Sequence, residues 1–222
     1  MTTEYFNNWL LFTIAFTLLL VVSFIMQLQS RHFYTQDVIV KKFSIMELEV
    51  PATAKELYNI ITGLFQLPPD VSARSLRALR RQLWLDFLFM PLAYGCIFLL
   101  CWRVAHKMHL FAGYLVFMAL AIGQIIPWIC DIIENCFLLS QLKPDVKAMS
   151  EGKHRWYLRM EALKWGLALM ATVCGIGAVA YFWCTGEYTV DSLRYFAVVI
   201  VEICLVLSIL FFAKKKQAAS VQ

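Results

Sequence analysis

Asp131, Glu134 and Asn135 interrupt the segment Ile126–Ser140, which is otherwise apolar and belongs to a run long enough to cross a membrane. Their spacings of three and four place all three polar groups on one helical face. An ionised Asp at a helix centre costs roughly 2.5–3.5 kcal/mol on membrane-insertion scales, so this face must turn inward, toward partners or a cavity. Other apolar runs add Asp86, Glu161 with Lys164 three residues on, and Glu202. Carboxylates gathered around one lysine can serve four ends. They can form an internal ion-pair network that fixes helix register. They can form an oxygen-ligand site for a divalent cation, with Asp131 and Glu134 as its principal ligands. They can carry protons or cations in coupled transport. They can also line a polar pocket for a lipid headgroup or small amphiphile, framed by Trp84, Tyr94, Trp128 and Trp165.

Other chemistries lack their residues. There is no Gly-rich phosphate loop and no Gly-x-Ser-x-Gly. His32, His106, His109 and His154 all lie at helix ends or in loops, where they cannot complete a zinc or haem site inside the bundle. Seven cysteines, none in a Cys-x-x-Cys pair, all fall in apolar runs and read as small buried hydrophobes. No motif fixes a reaction.

The elements that must position these groups are membrane helices. The chain has 222 residues, of which 61% are hydrophobic and only 16% charged, with a mean hydropathy of +0.66. Soluble domains carry about 25% charged residues. The net charge of +5 is spread over segments between apolar runs and so reads as a topology signal, not a nucleic-acid surface. The expected architecture is all-α: an integral membrane bundle of five transmembrane helices, at about 8–27, 83–102, 110–141, 156–183 and 193–213. Without a basic n-region or an Ala-x-Ala-like cleavage site, the first of these reads as a transmembrane helix, not a signal peptide.

Between the first two spans, Leu57, Ile60, Ile61, Leu64 and Phe65 recur at helical spacing opposite Lys55, Glu56, Asn59, Thr62 and Gln66. This predicts an amphipathic cytoplasmic helix within 51–67, started by a Thr53/Glu56 capping box and ended by Pro68-Pro69. It lies either in the membrane interface or across the end of the bundle. Ser44–Val50 alternates weakly and suggests extended chain. Pro91 should kink the second span, and Pro127 should bend the third and free the carbonyl of Gly123. Ala171, Gly175 and Ala178 give the fourth span a small-residue face for close packing.

Charge counting sets the orientation. With the N-terminus outside, the cytoplasmic segments hold sixteen Lys and Arg: eight in 28–82, five in 142–159 and three after 213. Only Arg103, Lys107 and Arg194 lie outside. Arg74, Arg77, Arg80 and Arg81 reach the inner surface just before the second span, where each contributes on the order of 1 kcal/mol toward anionic headgroups. Membrane lipids are therefore the expected partners; nucleic acid is not. Depths estimated along the helices place Asp86, Asp131, Glu134, Asn135, Glu161 and Lys164 in the inner leaflet, with Glu202 near the midplane, and predict one shared polar centre.

Phe43–Glu49, Leu85-Asp86-Phe87-Leu88-Phe89-Met90, Asp131-Ile132-Ile133-Glu134-Asn135 and Glu161–Trp165 resemble segments of small bacterial multi-pass membrane proteins of no established activity. The resemblance implies the cytoplasmic membrane of a bacterium and assigns no residue a role. The functional expectation is a structural or binding membrane protein whose polar centre holds the bundle and takes a lipid headgroup or small ligand. The alternative is a metal-dependent membrane enzyme or a proton- or cation-coupled transporter using the same centre.

Overall fold

A computed structural model describes residues 8–37 and 39–219. It is helical almost throughout. Helix α1 spans Trp9–Gln29; its first turn is capped by the Asn8 side chain, which accepts from Leu10 N–H at 2.9 Å, and a 3₁₀ turn extends it to His32. Strands β1 (Tyr34–Gln36) and β2 (Val40–Lys42) then pair antiparallel, with Thr35 opposite Lys41. Short α2 (Ile45–Glu49) and α3 (Glu56–Gln66) lead into α4 (Pro69–Ala105). Helices α5 (Phe111–Ile122), α6 (Ile125–Gln141), α7 (Glu151–Cys184) and α8 (Val190–Ala219) complete the order.

Among the described residues, four helical stretches are long and apolar enough to cross a membrane: Trp9–His32, Pro69–Ala105, Phe111–Gln141 and Glu151–Cys184. At about 1.5 Å per residue, the 37 residues of α4 and the 34 of α7 outrun a ~30 Å hydrocarbon core. Each therefore projects well beyond it.

The projecting stem of α4 anchors a cap made by residues 33–66. Phe33, Phe43, Leu48, Leu57, Ile61 and Leu64 form one core with Leu79 and Leu83 of α4 and Leu138 of α6. The apolar face of α3 is thus spent on protein, covering the bundle end instead of lying on lipid. The cap is too small for a core of its own and borrows one from α4 and α6. Its closest approach is at Gly63, where an added Cβ would collide with Gln36 O and Thr35 Oγ1. That contact lets Thr35 Oγ1 donate to Ile60 O at 2.8 Å.

Three local expectations are corrected. Ser44–Val50 is not extended: Ser44 caps α2, and Glu47 accepts from Ser44 N–H at 3.0 Å, so the capping box is here. At α3, Glu56 is the first helical residue and accepts instead from Ala52 N–H at 2.5 Å. The third span does not simply bend. It breaks at Gly123-Gln124, and Pro127 sits in the first turn of the new helix, where its missing N–H is tolerated. Ile126 N–H takes over the carbonyl of Gly123 at 3.1 Å, and Gln124 Nε2 donates to Leu120 O at 3.0 Å. The small face of α7 packs as expected: Ala171 is fully buried, and Gly175 lies so close to Leu100 of α4 that a Cβ would press on its side chain. All seven cysteines are free thiols.

Candidate polar centre

Helices α4, α6 and α7 each contribute one polar face. On α6, Asp131, Glu134 and Asn135 share the face set by their spacing, and on α7 Glu161 and Lys164 lie one turn apart. Asp86 and Tyr94, eight apart, point from α4 toward α6. Lys164 is the hub. Its ammonium forms ion pairs with three carboxylates, Asp131 Oδ1 at 2.8 Å, Glu161 Oε2 at 2.7 Å, and Glu134 Oε2, and donates a hydrogen bond to the last. Asp131 also accepts from Tyr94 OH at 2.5 Å. Asn135 Nδ2 donates to Asp86 Oδ2 at 2.6 Å, and Tyr157 OH lies 3.3 Å from Glu134 Oε1. Glu134, Asn135, Glu161 and Lys164 are all buried, at 2–3% exposure.

Six of the expected residues, Asp86, Asp131, Glu134, Asn135, Glu161 and Lys164, therefore meet. Glu202 does not join them. It faces α1, where Thr17 Oγ1 donates to its Oε1 at 2.8 Å. Depth along a helix fixes height, not direction, and α8 packs chiefly on α1.

The aromatic frame divides as well. Trp84 and Trp165 are exposed on the outer surface of the bundle, at 66% and 50%. Tyr94 and Trp128 line a separate cavity of about 230 Å³ at the break between α5 and α6, together with Pro91, Gly95, Phe98 and Gln124. Gln124 Oε1 is buried there without a donor. Arg74, Arg77, Arg80 and Arg81 are exposed along the stem of α4, and Arg80 also donates to Leu142 O at the end of α6 at 3.2 Å.

Three participants escaped the sequence reading. Glu49 ends α2 beside the centre. Burial raises its carboxyl to about 7; Lys164 opposes the rise, while Asp86, Glu161 and Asp131 add to it. Tyr157 bridges toward Leu48 O at 3.5 Å as well as Glu134, and His154 Nε2 lies 2.9 Å from Pro51 O. The segment 48–51 is thereby laid across the start of α7. The Ser44-x-x-Glu47 pattern was the available signal, because it places a helix end, and Glu49, at this spot.

Counting Glu49, five carboxylates surround one ammonium. The arrangement can bind α4, α6 and α7 together. Among the described residues no group of three or more His, Cys, Asp or Glu is placed to hold a metal ion. The position between the Asp131 and Glu134 carboxylates is taken by the Lys164 ammonium. Comparison with protein-family models, curated proteins and solved structures finds no match to the chain.

Proposed function

We propose that this is an integral membrane protein of five spans, with the N-terminus outside and the C-terminus cytoplasmic, whose inner-leaflet polar centre is a structural fastener. It locks three helices and the cytoplasmic cap into one arrangement, and a lipid-facing cavity beside it takes a small ligand. The fifth span is α8, 30 residues long. The observation that carries the reading is the enclosure of the buried Lys164 ammonium by three carboxylates from α6 and α7, an internal ion-pair cluster. Burial of the centre also keeps headgroups out of it, which directs the ligand to the cavity lined by Tyr94 and Trp128.

Replacing Asp131, Glu134 and Lys164 together by Asn, Gln and Met, in a Glu161→Gln background that leaves no buried carboxylate beside the missing ammonium, tests it. A fastener of this kind tolerates joint neutralisation, because the desolvation cost of the charges disappears with their attraction. The triple variant should unfold near the wild-type temperature, while Lys164→Met alone, which strands three buried carboxylates, should lose about 3–5 kcal/mol. A triple variant that folds but loses a stoichiometric bound ion would replace this reading by the transporter or metal-enzyme one.

A further inference from the structure

Between the β1–β2 hairpin and the stem of α4 lies a second cavity, of about 270 Å³, lined by His32, Tyr34, Val40, Val71, Arg74 and Ser75. It shares no residue with the polar centre. Ser75 is 1% exposed, and its Oγ is buried with no hydrogen-bond partner. A helical serine ordinarily returns its proton to the carbonyl one turn back; this one keeps an unmet donor at the cavity. Arg74, the neighbouring residue, adds a guanidinium whose fork matches phosphate oxygens. His32 and Tyr34 add an imidazole and a phenol from the end of the first span. These groups all donate, and the residues lining the cavity include no carboxylate.

The cavity also sits where a headgroup would be. His32 is the last residue of the Trp9–His32 span, and the hairpin that follows exposes Ile39 and Val40 at 73% and 51%, apolar side chains suited to the interface. We infer that the cavity framed by Arg74, Ser75, His32 and Tyr34 binds a phosphate group, as the headgroup of an anionic lipid or as a free anion. The inference rests on the membrane placement proposed above, but not on the polar centre.

The test uses the full chain in phosphatidylcholine nanodiscs doped with phosphatidic acid, with retained lipid counted by native mass spectrometry. Phosphatidic acid should be retained about tenfold over phosphatidylcholine by the wild type. Ser75→Ala, which is benign for the helix, should cut that preference severalfold, and Arg74→Gln should abolish it. Arg81→Gln, a charge on the same stem outside the cavity, should leave it intact. Inorganic phosphate at millimolar levels displacing the lipid identifies the free anion as the occupant; retention despite it identifies the lipid. Equal losses for Arg74→Gln and Arg81→Gln, or no loss in Ser75→Ala, would reduce the effect to general surface charge and overturn the site. The triple variant of the polar centre should retain phosphatidic acid normally, so failure of either proposal is visible without the other.

Discussion

Tyr94 on α4 donates its hydroxyl to Asp131 Oδ2 on α6 at 2.5 Å, while Asp131 turns Oδ1 to Lys164 on α7 at 2.8 Å. One carboxylate thus joins three helices, and the ring of Tyr94 faces the cavity at the break between α5 and α6. Hydrogen bonds to charged groups contribute about 1.5–3 kcal/mol. Tyr94→Phe keeps the ring and should cost about that much in thermal unfolding in detergent. In an Asp131→Asn background the same change should cost clearly less, since the two groups are coupled. Additive losses would separate Tyr94 from the network.

Glu49 gives the cap a pH dependence of definite sign. Its folded carboxyl is raised from 4.5 to about 7, chiefly by burial, so between those values the folded state holds the extra proton. Stability then falls as pH rises through this window and levels off above it. Amide exchange in residues 33–66, corrected for intrinsic rates, should show the cap better protected near pH 5 than near pH 8. Glu49→Gln should flatten the difference; an unchanged slope in that variant would assign it to other groups.

Gly63 is where α3 and the hairpin touch most closely. A methyl group there meets backbone and the Thr35 hydroxyl, neither of which can swing aside. Gly63→Ala should therefore destabilise the cap by about 1–3 kcal/mol in spite of the better helix propensity of alanine. Proteolysis should cut at the hairpin first, with the membrane helices retained.

Orientation is read most directly from accessibility. In a background free of the native cysteines, a cysteine at Thr189, between α7 and α8, should react with an impermeant thiol reagent in intact cells. One at Ser220, which lies outside the described residues, should not. The reverse pattern would invert the topology.

The long apolar helices and the core of the polar centre were legible because an ionisable side chain in an apolar run is costly enough to demand a partner. Asp86, Glu134, Glu161 and Lys164 could hardly have been placed otherwise. Glu49 was not legible in that way, since a carboxylate in a polar segment incurs no such cost until the segment folds over onto the bundle. Glu202 was misplaced because its height matched the centre while its direction was set by the packing of α8 on α1. Trp84 and Trp165 are exposed on the outside of the bundle, yet the Trp165 ring also lies 5.4 Å from Lys164 Nζ, and nothing in their spacing distinguishes an outer face from a pocket wall. The hairpin 34–42 carried no turn signal strong enough to announce it, and it packs against α3 where Gly63 allows the close approach.

The hub of the network is also its last member to be made. Synthesis delivers Glu49, Asp86, Asp131, Glu134 and Glu161 before Lys164, so in the membrane placement proposed above the first three spans would enter the bilayer with their acids unanswered. Those acids must hold protons, or stay sheltered by the insertion machinery, until α7 arrives. On that placement, arrival of α7 would be the step that completes the network. A chain stopped short of residue 164 would be left with spans that cannot settle together.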